Sequence, residues 1–173
     1  MSRRILAPLA ASAVALTAWL SVAAAKHVQI PVVRFHTEVE VAAPPSTVWA
    51  WMTSGKNLVT WCPQWKSAKN SSSNLTRLGE VLDYTDEWGN GGRSVVTYSA
   101  KDKELRVAHE PNKGDYMCQA KFMLSPAAAG TRVEFVEQYT DESRPQDMEA
   151  TAKKMEAEMQ ETLASLKRGV EKK

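Results

Sequence analysis

Histidine and cysteine are scarce in this chain of 173 residues, at three and two copies. His27, His36 and His109 stand far apart and share no ligand spacing, so no metal site is expected. An excess of one charge is lacking too. The formal net charge is +2, and Arg3 and Arg4 at the extreme N-terminus account for it. A neutral body has no electrostatic reason to take nucleic acid as a partner, because that binding runs on phosphate neutralisation. There is no Gly-x-Ser-x-Gly elbow, no phosphate-cradling glycine loop and no His-Glu-x-x-His pair. Gly89-Asn90-Gly91-Gly92 is rich in glycine, but it lies between two strand patterns and reads as a hairpin turn. No cofactor is implied. Hydrophobic residues at 43% and charged residues at 24% exclude collagen-like, fully disordered and multi-span membrane classes.

What the chain does have is tryptophan, six in all. Large aromatic side chains line either a core or a ligand cavity. The N-terminus is equally distinctive. Arg3 and Arg4 precede an apolar run from Ile5 to Leu20, and Ala23-x-Ala25 supplies the small residues that signal peptidase requires. Residues 1–25 therefore read as a bacterial secretory signal peptide, which places the mature protein in the periplasm or outside the cell. Ser2-Arg3-Arg4-Ile5-Leu6 partly resembles a twin-arginine signal. The alternative is an uncleaved membrane anchor, since the run is about long enough to span a bilayer. Once the leader is cleaved, no stable membrane span is expected. In an exported protein Cys62 and Cys118 either pair, adding ~4 kcal/mol in the chain-entropy model, or stay buried as small apolar side chains.

The mature chain, 26–173, reads as one domain. Val33, Phe35, Thr37, Val39 and Val41 alternate with polar residues, the period of a strand with one dry face. Pro44-Pro45 ends that strand, and two short helices follow, from Ser46 to Met52 and from Lys56 to Trp61. Six further strands then alternate with short turns, at Gln64–Lys69, Glu80–Trp88, Arg93–Ala100, Glu104–Glu110, Met117–Leu124 and Thr131–Thr140. Short turns make a meander antiparallel. Ser143-x-x-Gln146 has capping-box spacing. Met148, Ala152, Met155, Met159, Leu163, Leu166 and Val170 then form one helical stripe, opposite a charged face that includes Lys153, Lys154, Glu158 and Glu161. The fold class is α+β: a curved antiparallel sheet of six or seven strands around one long C-terminal helix, with the two short helices plugging one end.

Val41-x-Ala43-Pro44-x-x-Val48-Trp49, Trp61-x-Pro63, Gly79 before a strand and Gly130-Thr131-x-Val133, in this order of elements, resemble the START-like helix-grip superfamily. Within it the chain looks like the polyketide cyclase/dehydrase and lipid-transport branch. The resemblance covers about residues 32 to 170. It implies a hydrophobic cavity between sheet and long helix; relatives bind lipids, sterols or aromatic products, act as cyclases or dehydratases, or assist chaperones.

The candidate ligand-binding residues follow from parity and periodicity. Phe35, Thr97, His109, Cys118, Phe122, Phe135, Glu137 and Tyr139 come from the strands, Trp61 and Trp65 from the mouth beside the short helices, and Met148, Met155 and Met159 from the helix stripe. His109 shares a face with Leu105 and Val107, so it either reaches the cavity as an acid or base or sits hydrogen-bonded at a strand end. Glu137 shares a face with Phe135 and Tyr139, and a buried carboxyl without a partner has a raised pKa. On the third strand either Asp83 or the pair Leu82 and Tyr84 faces inward. No catalytic residue is assigned. The expected function is an exported binder of a small apolar or amphipathic ligand, lipid or aromatic. One alternative is a cyclase- or dehydratase-type enzyme using His109 with Glu137 or Asp83. A second is an interaction module whose cavity has collapsed. Oligomeric state is not legible.

Overall fold

The computed structural model describes residues 32–70, 74–87, 89–113, 116–141 and 148–172. The leader at 1–25 and the Ser143-x-x-Gln146 capping motif lie outside the described residues. The first strand, β1 (Val33–Val41), ends where Pro44 and Pro45 remove two N–H donors. Helix α1 (Pro45–Thr53) starts there, with Pro in its first turn, where a missing N–H leaves nothing unsatisfied. Helix α2 (Leu58–Trp61) is a single turn, stopped before Pro63.

Six strands complete the sheet: β2 (Trp65–Asn70), β3 (Val81–Asp86), β4 (Gly91–Ala100), β5 (Glu104–Pro111), β6 (Tyr116–Ala127) and β7 (Gly130–Asp141). Their order is β1-β7-β6-β5-β4-β3-β2, every pair antiparallel. Strands β2 to β7 are a plain meander. The chain leaves β1 at one edge and re-enters as β2 at the other, so α1 and α2 must cross one end of the curved sheet. The long helix α3 (Met148–Glu171) closes the open side against β1, β7 and both short helices.

The family-like motif residues have local reasons to be where they are. Gly130 has φ +141, and a Cβ there would lie 2.7 Å from the Ala43 nitrogen and closer still to the Val41 carbonyl. Only glycine lets the β6–β7 turn approach the end of β1 this closely. Thr131 then donates its hydroxyl to the Ala43 carbonyl at 2.6 Å. The helix is tied at its far end by Lys167 Nζ on the Glu40 carbonyl (2.6 Å) and by Glu171 accepting the Ala42 N–H (2.8 Å). Nearer its start, Gln64 Nε2 donates to the Glu158 carbonyl at 3.0 Å.

The helix stripe is core. Met159, Leu163, Leu166 and Val170 are buried, and Ala152 and Met155 pack against the core from partly exposed positions. Burying side chains of this size stabilises by ~2 kcal/mol each. The two thiols, Cys62 and Cys118, are buried and unbonded to each other. No helix among the described residues is long and apolar enough to cross a membrane.

Candidate functional site

Strand register places the site. Across the inward face of the sheet Leu82, Ser94, His109, Cys118 and Tyr139 stand in one row, each the direct partner of the next. The adjacent inward row is Val96, Val107, Ala120 and Glu137. The third is Leu105, Phe122 and Phe135. Polarity is therefore concentrated in one stripe across the strands, and the next rows are apolar except for Glu137.

Between this face and α3 lies a cavity of about 550 Å³. Its deep wall is aromatic. Phe122 and Phe135 stack at 4.3 Å between centroids, and Trp61 meets Phe122 edge-on at 5.6 Å. Trp65 stacks on Tyr84 at 5.0 Å, and both turn an edge or face to His109, at 6.0 and 6.2 Å. Gly92 makes that stack possible: a Cβ on it would collide with the Tyr84 ring. The interior is large enough to hold a drug-sized molecule, so the cavity is not collapsed into core.

The polar groups form two separate pairs. His109 Nδ1 and the Ser94 hydroxyl are 2.5 Å apart. Burial disfavours the imidazolium and holds the His109 pKa down to about 4, so the ring is neutral near pH 7. Cys118 donates its S–H to Glu137 Oε1 at 2.6 Å. Ala120, directly opposite Glu137, is too small to fill the space, which lets the diagonal Cys118 reach the carboxylate. Burial raises the Glu137 pKa to about 7; the Cys118 bond opposes the rise, and the charge of Glu158 on α3 adds to it. Burial, then the Glu137 charge, push both thiols up, so neither is an activated nucleophile. At the mouth, Asp86, Asn90, Lys113, Thr151, Lys154 and Glu158 supply polar rim.

Of the residues expected from sequence, Trp61, Trp65, His109, Cys118, Phe122, Phe135, Glu137, Tyr139, Met155 and Met159 all line this cavity. Three need correction or fall aside. Thr97 is exposed: Gly92, Ser94 and Val96 take the inward face of β4, and the register shifts between Val96 and Tyr98. Phe35 is buried, but within the core and away from the cavity wall. The Met148 side chain lies outside the described residues. On β3 the open parity resolves as Leu82 and Tyr84 inward, with Asp83 exposed and paired to Arg93 at 3.4 Å. Lys154, exposed as expected, and the half-exposed Glu158 also border the mouth.

Sequence reading missed Gln64 and Ser94 and left Tyr84 open. Ser94 shares parity with Val96, a usable signal; Gln64 had none. Outside the cavity His36, Glu38 and Glu134 bring donor atoms within 4.8 Å on the outer face of the sheet. Glu38 directly faces Glu134 in register, an unfavourable like-charge pair, and the His36 ring sits 3.4 Å from Glu134 beside it.

A curved antiparallel sheet gripping a long C-terminal helix over an apolar cavity, with two short helices after the first strand, is the helix-grip fold of the START-like superfamily. The model of the polyketide cyclase/dehydrase and lipid transport family matches residues 32–171, and the chain belongs to that family. The solved protein MLL2253 of Mesorhizobium loti superposes with a TM-score of 0.67 at 15% identity, over 81% of this chain and 98% of the other. Ara h 8.0201 superposes at 0.65 and 15%, over 83% and 100%. DynU16, from the dynemicin biosynthetic locus, superposes at 0.63 and 17%, over 80% and 47%. These likenesses concern the fold. No curated protein matches the sequence.

Proposed function

We propose that the mature chain is an exported binding protein that holds one small apolar or amphipathic molecule between sheet and helix without transforming it. The observation that carries the reading is the cavity of about 550 Å³, with aromatic walls and one polar stripe. Holding a ligand needs an apolar enclosure and a few orienting groups. Catalysis needs several groups within mutual reach. Here His109 is paired with Ser94 and Glu137 with Cys118. On strands β5 and β7 these two titratable groups sit two strand spacings apart, roughly 10 Å. Export is supported by the leader pattern of residues 1–25.

Tryptophan fluorescence tests the binding. Titration with a panel of fatty alcohols, sterols and polycyclic aromatics should shift the emission at micromolar ligand, and the shift should weaken in Trp61→Ala or Trp65→Ala. Failure of the whole panel overturns the reading. So does conversion of a bound ligand that stops in His109→Ala or Glu137→Gln. N-terminal sequencing of exported material should find the chain starting at Lys26; an intact Met1 on membrane-held protein would favour the anchor.

A further inference from the structure

Among the described residues, the charge set back from the rim of the cavity is anionic. Glu137 projects from β7, and Glu158 on α3 lies close enough for its charge to act on Glu137. The other groups around Glu137 are uncharged: the Cys118 thiol on β6 donates to it, Cys62 after α2 is a protonated thiol, and His109 on β5 is neutral. Phe35 faces it from β1. The two cations of the lining, Lys113 and Lys154, are both exposed at the rim, and Lys154 lies 3.5 Å from Glu158. The aromatic part of the wall is the Trp61, Trp65, Tyr84, Phe122 and Phe135 set, whose ring faces carry partial negative charge and attract cations. A ligand carboxylate entering this interior would meet like charge with no buried cation among the described residues to receive it.

Building on the binding function proposed above, we infer that the cavity takes a hydrophobic amine, its ammonium seated at Glu137 and its apolar body against the aromatic wall. The ammonium supplies a cation that no described residue brings to the buried carboxyl. A charge-assisted hydrogen bond to Glu137 becomes available, and the charge of Glu158 adds a longer-range attraction. Because Glu137 is protonated in mild acid and ionised above about pH 7, amine affinity rises with pH across that range.

Three probes of equal chain length separate this inference from the reading it rests on: decylamine, 1-decanol and decanoate, titrated by tryptophan fluorescence at pH 6 and pH 8. Decylamine stays cationic throughout. It should bind tightest, and its Kd should fall about tenfold from pH 6 to pH 8, the change in ionised fraction of a group titrating near 7. Glu137→Gln should remove that slope, and Glu158→Gln should lower the ratio of decylamine to decanol affinity. Decanol should show no pH slope. If decanol or decanoate binds as tightly as decylamine, or if the slope survives in Glu137→Gln, the amine inference is wrong while the binding function stands. If none of the three binds, the binding function falls and this inference with it.

Discussion

Replacing Glu137 with Gln should stabilise the protein in mild alkali and change little in mild acid. Burial against α3 raises this carboxyl from 4.5 to about 7. The native state therefore keeps a proton that the unfolded chain releases. Where the native state binds more protons, stability falls with rising pH, here from about pH 4.5 to about pH 7, and then levels off. A shift of that size corresponds to ~3 kcal/mol. Gln has the same shape, still accepts the Cys118 S–H and carries no charge at any pH. The variant minus wild-type difference should be under ~1 kcal/mol at pH 5 and reach ~3 kcal/mol in favour of the variant at pH 8. That corresponds to a Tm rise of roughly 5–10 °C for a domain of this size. His109 acts in the opposite direction: its pKa is held down to about 4, so it destabilises in acid. It is present in both proteins, and its effect cancels in the difference. Urea unfolding at the two pH values measures the quantity directly. A variant whose advantage is the same at pH 5 and pH 8, or larger at pH 5, would refute the buried-carboxyl argument.

Gly92→Ala should cost ~2 kcal/mol or more, because its Cβ meets the Tyr84 ring and lies 2.8 Å from the Glu110 carbonyl; loss of the near-ultraviolet signal from the Trp65–Tyr84 stack should accompany it. Met159→Ala should cost ~2–5 kcal/mol, against ~0.5 or less for the neighbouring exposed Gln160→Ala; equal melting temperatures would show that the helix stripe is misassigned. Neither Cys62 nor Cys118 should react with a thiol reagent at pH 8 in the native protein, since burial and the nearby Glu137 charge keep both protonated, and both should react after unfolding.

Period two in Val33–Val41 and in the β6 segment, and the regular steps of the Met148–Val170 stripe, are local signals. Each reports which face of an element is dry, and each was legible because a wet residue at a dry position is penalised wherever the element ends up. The turn residues point to strand pairing in the same way: Gly89 supplies the positive φ of the hairpin, at φ +82, whereas Gly91 and Gly92 are the first residues of β4. From these alone the antiparallel meander, the gripped helix and ten of the cavity-lining residues could be read. Tertiary structure decided the rest. Parity cannot choose a face on β3, where both faces carry an aliphatic or aromatic residue; the packed structure turns Tyr84 inward, against Trp65 and His109. Thr97 fell outward because Gly92, Ser94 and Val96 hold the inward face of β4. Lys154 and Glu158 look like solvent-facing helix residues in any isolated helix; that they border a cavity is visible only once α3 is packed on the sheet. Most of all, the Cys118–Glu137 and Ser94–His109 pairs join residues 19 and 15 apart in sequence. Their chemistry depends on burial and on a neighbour across a strand, and those are properties of the packed sheet that no one segment contains.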